Sequence, residues 1–165
     1  MLTILDNKER ILGTAEILIT SENEKWTKVK AIIDPSSTHT FMSYKLANTL
    51  KLKRESAAVN LNGIDNLNAE VTKKPIIKIK DREGEVLRTD AYLLEKICGQ
   101  VPEAPLQIEL PKEWKLTEED LADSSFRIPT VPEVLLGVEV FGEMSEKEYY
   151  KSQVAPPPSK LPWVG

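Results

Sequence analysis

Cysteine and histidine are nearly absent: the 165 residues hold one of each, Cys98 and His39. A lone cysteine closes no internal disulfide, so a reducing, intracellular compartment, cytoplasmic or nuclear, is expected. One Cys and one His fall short of the roughly four ligands of a structural zinc site, so neither metal nor cofactor is expected. They also leave a Cys–His nucleophile pair without support. No apolar run approaches the ~20 residues of a membrane-spanning helix, and Met1-Leu2-Thr3-Ile4-Leu5-Asp6 meets charge too early for a signal peptide; no membrane partner is expected. A basic excess is missing as well. The net charge is −4, and phosphate binding needs local positive charge, so no nucleic-acid partner is expected. The one dense basic stretch, Lys51-Leu52-Lys53-Arg54, follows a predicted helix, whose C-terminal dipole favours it. Aromatic residues are few, and Trp26, Trp114 and Trp163 do not cluster, which reads as packing rather than a base-stacking platform.

What is present is an ordinary globular balance, 41% hydrophobic and 29% charged, enough for one domain with its own core. The first half alternates with the period of strands. Ala15, Ile17 and Ile19 share one face. In Trp26 to Ile33, Val29, Ala31 and Ile33 share another, with Lys28 and Lys30 opposite. Ile32 breaks that alternation and predicts burial of the strand end on both sides. From Phe41 to about Leu50 the spacing of Met42, Leu46 and Leu50 predicts a helix capped by Thr40 or Ser43. Strand character returns at Ala57 to Leu61. A turn-rich tip follows at Gly63-Ile64-Asp65-Asn66-Leu67-Asn68, then a hairpin from Ile76 to Lys80 and Glu85 to Leu94.

Residues 99 to 116 read as a long irregular connection. Thr117-Glu118-Glu119-Asp120 resembles a capped helix start, and Val134 to Phe141 a short buried strand leading into a turn. Pro156-Pro157-Pro158 marks a stiff, extended tail. The expected organisation is an N-terminal segment over 1–11, one domain over 12–142 and a Pro-rich tail over 143–165.

The chemistry concentrates where the strand ending Ile32-Ile33 runs into Asp34, followed by Pro35, Ser36 and Ser37. An aspartate leaving a buried strand is a candidate catalytic carboxylate. Asp-Pro-Ser-Ser is equally a good turn, with Asp at its first position and Pro at its second. His39 lies near Asp34 in sequence but lacks an orienting third group, so it reads as a loop histidine, and Ser36 and Ser37 lack a base. Asp123-Ser124-Ser125 repeats the pattern after a predicted helix rather than a buried strand, and reads as structural.

These landmarks, in order, resemble the retropepsin-like peptidase domain of BEL/Pao-type retrotransposons. There a strand ends in Leu-Leu-Asp-Ser-Gly-Ser, and a Phe opening a helix lies seven residues after the aspartate. Ile32-Ile33-Asp34 and Phe41 keep that spacing. Leu46-Ala47 through Leu50 and Leu52 resemble the helix of that family. Leu61-Asn62-Gly63-Ile64 resemble the start of its flap, and Leu121-Ala122-Asp123 and Val134-Leu135-Leu136-Gly137-Val138-Glu139-Val140-Phe141 resemble its later motifs. The likeness spans residues 12 to 142.

The resemblance implies a mostly β, retropepsin-like closed barrel with one or two short helices. It implies a catalytic Asp34 in an active-site loop of Pro35, Ser36 and Ser37, a flap over Gly63, Ile64, Asp65 and Asn66, and a structural motif at Leu135, Leu136 and Gly137. With one such aspartate per chain, activity would require a homodimer acting on a peptide or polyprotein. The loop departs from the pattern, however. Working members carry Ser or Thr, then Gly, after the aspartate, whereas Pro35 has neither hydroxyl nor N–H and Ser36 carries a Cβ. A weakened aspartic endopeptidase is therefore expected, the alternative being a pseudo-protease that serves as a dimerisation or peptide-binding module.

Overall fold

The computed structural model describes residues 3–4, 10–20, 25–62, 68–81 and 84–143. Its elements, in chain order, are β1 (Thr3–Ile4), β2 (Arg10–Ile11), β3 (Thr14–Thr20), β4 (Trp26–Ile33), β5 (Phe41–Ser43), α1 (Tyr44–Thr49), β6 (Glu55–Asn62), β7 (Asn68–Lys74), β8 (Ile76–Lys80), β9 (Val86–Asp90), β10 (Tyr92–Leu94) and β11 (Val134–Leu136). Strands β1 and β2 pair with each other, as do β6 and β7. The remaining seven form one sheet in the order β10-β5-β11-β4-β3-β8-β9.

The two edges of that sheet, β9 and β10, are separated in the chain only by Ala91. Seven strands laid flat would place their edges about 29 Å apart at normal strand spacing. Two peptide steps span only about 7 Å. The sheet must therefore curl until its edges meet, giving a nearly closed barrel. Ala91 is the corner: its N–H donates to Pro75 O on the β8 side, while Tyr92 N–H donates to Thr40 O on the β5 side. The mostly β barrel with short helices expected from the sequence is the architecture observed. The single strand expected over Glu85 to Leu94 is instead two, because the chain changes partners at this corner.

Alternation decides what the barrel encloses. Register aligns Ala15 with Ala31, Ala31 with Val134, Val134 with Met42 and Met42 with Leu93. That row crosses five strands, and every member is at most 2% exposed. A second row runs through Ile19, Ile79 and Leu87. Such cross-strand apolar pairs are the unit of sheet stability, and burying a side chain the size of Met42 or Leu93 contributes about 1.5–3 kcal/mol. Leu46, Ala47, Leu50 and Leu52 close the core from α1 and the turn after it.

Two local expectations are corrected. The helix does not begin at Phe41: Phe41–Ser43 is β5, held by ladders to both β10 and β11. Of the two caps the sequence offered, Ser43 is the one that forms, its Oγ accepting the Leu46 N–H at 3.0 Å. At six residues α1 is too short to persist alone, and its buried Leu46 and Ala47 anchor it. Lys30, expected on a polar face beside exposed Lys28, is buried because residues 121–128 cover that part of β4. As expected, Ile32 is buried along with Ala31, its neighbour on the opposite face.

The irregular connection expected over 99–116 extends over 95–133, between β10 and β11, with 3-10 turns at Lys112–Trp114 and Glu118–Asp120. The second turn starts as read from sequence, with Asp120 Oδ2 accepting from the N–H and hydroxyl of Thr117. The connection is pinned at its base where Val101 and Thr130 exchange two backbone hydrogen bonds. Beyond β11, residues 138–143 are helical rather than a turn, with Val140 buried in the core.

Candidate active-site loop

The loop that carries Asp34 is shaped by a crossing. Strand β11 lies between β4 and β5, parallel to the first and antiparallel to the second. The chain leaving β4 must therefore pass over the end of β11 before it enters β5. Asp34 is the first residue beyond β4, and its N–H extends the parallel ladder by donating to Leu136 O at 3.0 Å. The main chain of Asp34 is thus fixed by the barrel, while its side chain stands at the barrel rim.

Gly137 is where the crossing happens. A Cβ at this position would lie 2.5 Å from His39 O, 2.6 Å from His39 C and 2.9 Å from Ser37 O. All three are backbone atoms, so no side-chain movement could relieve the contact, and only glycine permits so close an approach. The contact is tied as well as tight. Gly137 N–H donates to Thr40 Oγ1 at 3.1 Å, Val138 N–H to Ser37 O at 2.8 Å and Ser37 Oγ to His39 O at 2.8 Å. The His39 ring packs edge-on to Tyr92, with centroids 5.0 Å apart, and lies 6.5 Å from Phe41.

Asp34-Pro35-Ser36-Ser37 closes as the turn its sequence suggested, with Ser37 N–H donating to Asp34 O at 3.1 Å. Pro35 and Ser36 are exposed and Asp34 is half-buried. The carboxylate is held from one side: Ser36 N–H at 3.0 Å and Ser36 Oγ at 2.5 Å both donate to Oδ1. No described residue donates to Oδ2.

The second Asp-x-Ser segment has a different setting. Asp123 Oδ1 accepts from Ser125 N–H and Oγ, each at 2.9 Å. Its Oδ2 takes the Thr14 hydroxyl at 2.6 Å and pairs with Lys30 Nζ at 3.1 Å. Lys30 spends its remaining protons on Ser125 O and Ile128 O. Burial pushes the Asp123 carboxyl up, but hydrogen bonds from Thr14, Lys30 and Ser125, with the Lys30 charge, hold it below the usual value. Burial raises the Cys98 thiol against the opposing charge of Lys96, which disfavours the thiolate a nucleophile needs.

The structure thus gathers Asp34, Pro35, Ser36, Ser37 and Gly137 into one loop system, with Leu135 and Leu136 as the strand beneath it. The expected flap residues Gly63, Ile64, Asp65 and Asn66 lie outside the described residues, as does the Pro-rich tail beyond 143. Two features escaped the sequence reading. Thr40 braces Gly137 instead of capping a helix, and the Ser36 hydroxyl reaches back to Asp34. The Asp-x-Ser spacing was the available signal for the second.

No protein-family model matches the chain, and no curated protein matches it. Among solved structures the chain is similar to the EIAV protease in complex with the inhibitor HBY-793. The two share 13% identity at a TM-score of 0.47, over 81% of this chain and 88% of that one. What the geometry itself defines is a mostly β, nearly closed barrel that presents one carboxylate at a strand end.

Proposed function

We propose that this chain is half of an aspartic-type endopeptidase, a retropepsin-like domain of BEL/Pao retrotransposon descent whose site is completed by a second copy. The observation that carries this reading is Asp34 itself, rigid in its main chain, clasped at Oδ1 and with no described residue donating to Oδ2. Two such carboxylates brought together across a two-fold axis cannot both ionise easily and would share one proton. The ionised partner would polarise a water for attack on a peptide carbonyl, and the protonated one would donate to the developing oxyanion. The pair would titrate as a unit.

The test is cleavage of a fluorogenic peptide library at mildly acidic pH, with Asp34→Asn as the control and sedimentation to detect the dimer. Cleavage that tracks dimer concentration and disappears in Asp34→Asn is the expected result. Parental cleavage that survives Asp34→Asn would remove Asp34 from the chemistry.

One observation favours a second reading, a peptide-binding or dimerisation module without catalysis. Pro35, next to the carboxylate, has neither N–H nor hydroxyl to offer a facing copy, and lost hydrogen bonds at charged groups cost about 1.5–3 kcal/mol each. Pro35→Ser separates the two readings. An inactive parent with an active Pro35→Ser variant would establish the module reading; activity in both would discard it.

A further inference from the structure

We infer that Ser36 is a positioning residue for Asp34, its hydroxyl restoring inside one chain part of the order that Pro35 removes. The inference rests on the proposed role of Asp34. Ser36 occupies a position where glycine would supply only its N–H. Here the N–H at 3.0 Å and the hydroxyl at 2.5 Å converge on the same oxygen, Asp34 Oδ1. Two donors from one residue hold the carboxyl group in place more tightly than one, and so restrict the aspartate's rotamer about Cα–Cβ as well as the rotation about its last bond. The consequence is a choice of oxygen: Oδ1 is occupied, and Oδ2 is the one no described residue takes.

The chain itself carries an independent example of this clasp. Ser125 grips Asp123 Oδ1 through its N–H and Oγ, both at 2.9 Å, and the backbone below closes alike, with Phe126 N–H donating to Asp123 O at 3.4 Å as Ser37 N–H does to Asp34 O. At that second clasp, Oδ2 is the oxygen that meets outside groups, the Thr14 hydroxyl and the Lys30 ammonium. The same local geometry at Asp34 presents Oδ2 to a proton donor from beyond the loop, in our reading the carboxyl of a second copy or the water between them. Ser36 would not touch substrate; it would act through Asp34.

The experiment has a kinetic arm and a structural arm, both on the full chain. Ser36→Ala and Ser36→Gly are each expected to lower kcat about tenfold or more, as loss of one hydrogen bond to a charged group allows, with KM and Tm unchanged. Ser36→Thr, which keeps the hydroxyl, restores the parental kcat. Ser36→Gly is the sharpest variant: restoring the retropepsin pattern would raise activity if Ser36 were merely a tolerated intruder, and that rise would overturn the inference. The structural arm needs no activity. Side-chain couplings measured by NMR at Asp34 are expected to report one rotamer in the parent and in Ser36→Thr, and averaging in Ser36→Ala. A single unchanged rotamer in all three would overturn the inference even if kcat fell. A parent with no Asp34-dependent cleavage would instead count against the proposed peptidase, while the couplings still decide the role of Ser36.

Discussion

Asp34 and Asp123 are built by the same four-residue rule and set in opposite surroundings. Each is followed two positions later by a serine whose N–H and hydroxyl grip Oδ1. They differ in what meets the other oxygen. At Asp123 the Thr14 hydroxyl and the Lys30 ammonium satisfy it, and the side chain is 2% exposed. At Asp34 the strand runs out at the barrel rim and no described residue takes Oδ2. The local sequence makes the clasp; the surroundings decide whether the carboxylate is consumed in holding the fold or kept in reserve.

The largest effect should separate the two in stability. Lys30→Met leaves the Asp123 carboxylate buried without its charge partner, and breaking one side of a buried pair costs about 3–5 kcal/mol. Urea unfolding would show this as a lowered midpoint. Adding Asp123→Leu should recover much of the loss, because no buried charge then stands alone. Asp34→Asn, by contrast, should change stability by no more than about 0.5 kcal/mol while abolishing cleavage. A loss of several kcal/mol in Asp34→Asn would make Asp34 structural and end the contrast.

Gly137→Ala comes next. Its Cβ would meet backbone, not flexible side chains, so destabilisation at the upper end of the 1–3 kcal/mol typical of overpacking is expected. If the crossing positions Asp34, kcat should also fall in preparations that remain folded. An unaffected Tm would show that residues 37–39 can move aside.

Acid should distinguish the carboxylates too. The folded-state pKa of Asp123 lies below its ordinary value of 3.8, so the unfolded chain binds the extra proton first. The stability this provides is fully present above about 3.8 and is lost as pH falls through the lower folded value. The parent's resistance to chemical unfolding should therefore weaken below about pH 4, and Asp123→Asn should flatten that dependence. An unchanged slope in Asp123→Asn would assign the acid sensitivity to other carboxylates.

Much of this was legible in the sequence because it rests on short-range pattern. Alternation in Ala15-Ile17-Ile19 marked the inner face of β3, and Ile32 signalled double burial at the end of β4. The turn at Asp34-Pro35 could be read from residue preference alone. What was hidden depends on contacts distant in sequence. Phe41 to Ser43 has helical spacing, yet ladders to β10 and β11 hold it extended. Lys30 reads as a surface residue until residues 121–128, about ninety positions later, fold over it. Gly137 was visible in a motif, but its reason, a chain crossing within van der Waals distance, has no local signature. The single-residue corner at Ala91 is hidden likewise, since only closure of the barrel calls for it.

The smallest predicted effect is the most direct comparison of the clasps. Ser125→Ala removes one donor from a buried, ionised carboxylate and should cost about 1.5 kcal/mol, the lower end for such bonds because Ser125 N–H remains. Ser36→Ala removes the equivalent donor where water can replace it, so its effect on stability should stay within about 0.5 kcal/mol. Paired denaturation curves of the two variants would measure this difference. The clasp atoms correspond one to one, while Ser125 Oγ also lies 3.2 Å from Glu16 Oε1. Any gap between the curves therefore belongs to that contact and the other surroundings and not to the turn. Equal losses would mean that the Asp34 loop is as dry as the Asp123 loop, and Oδ2 of Asp34 would then be shielded instead of open to a second copy.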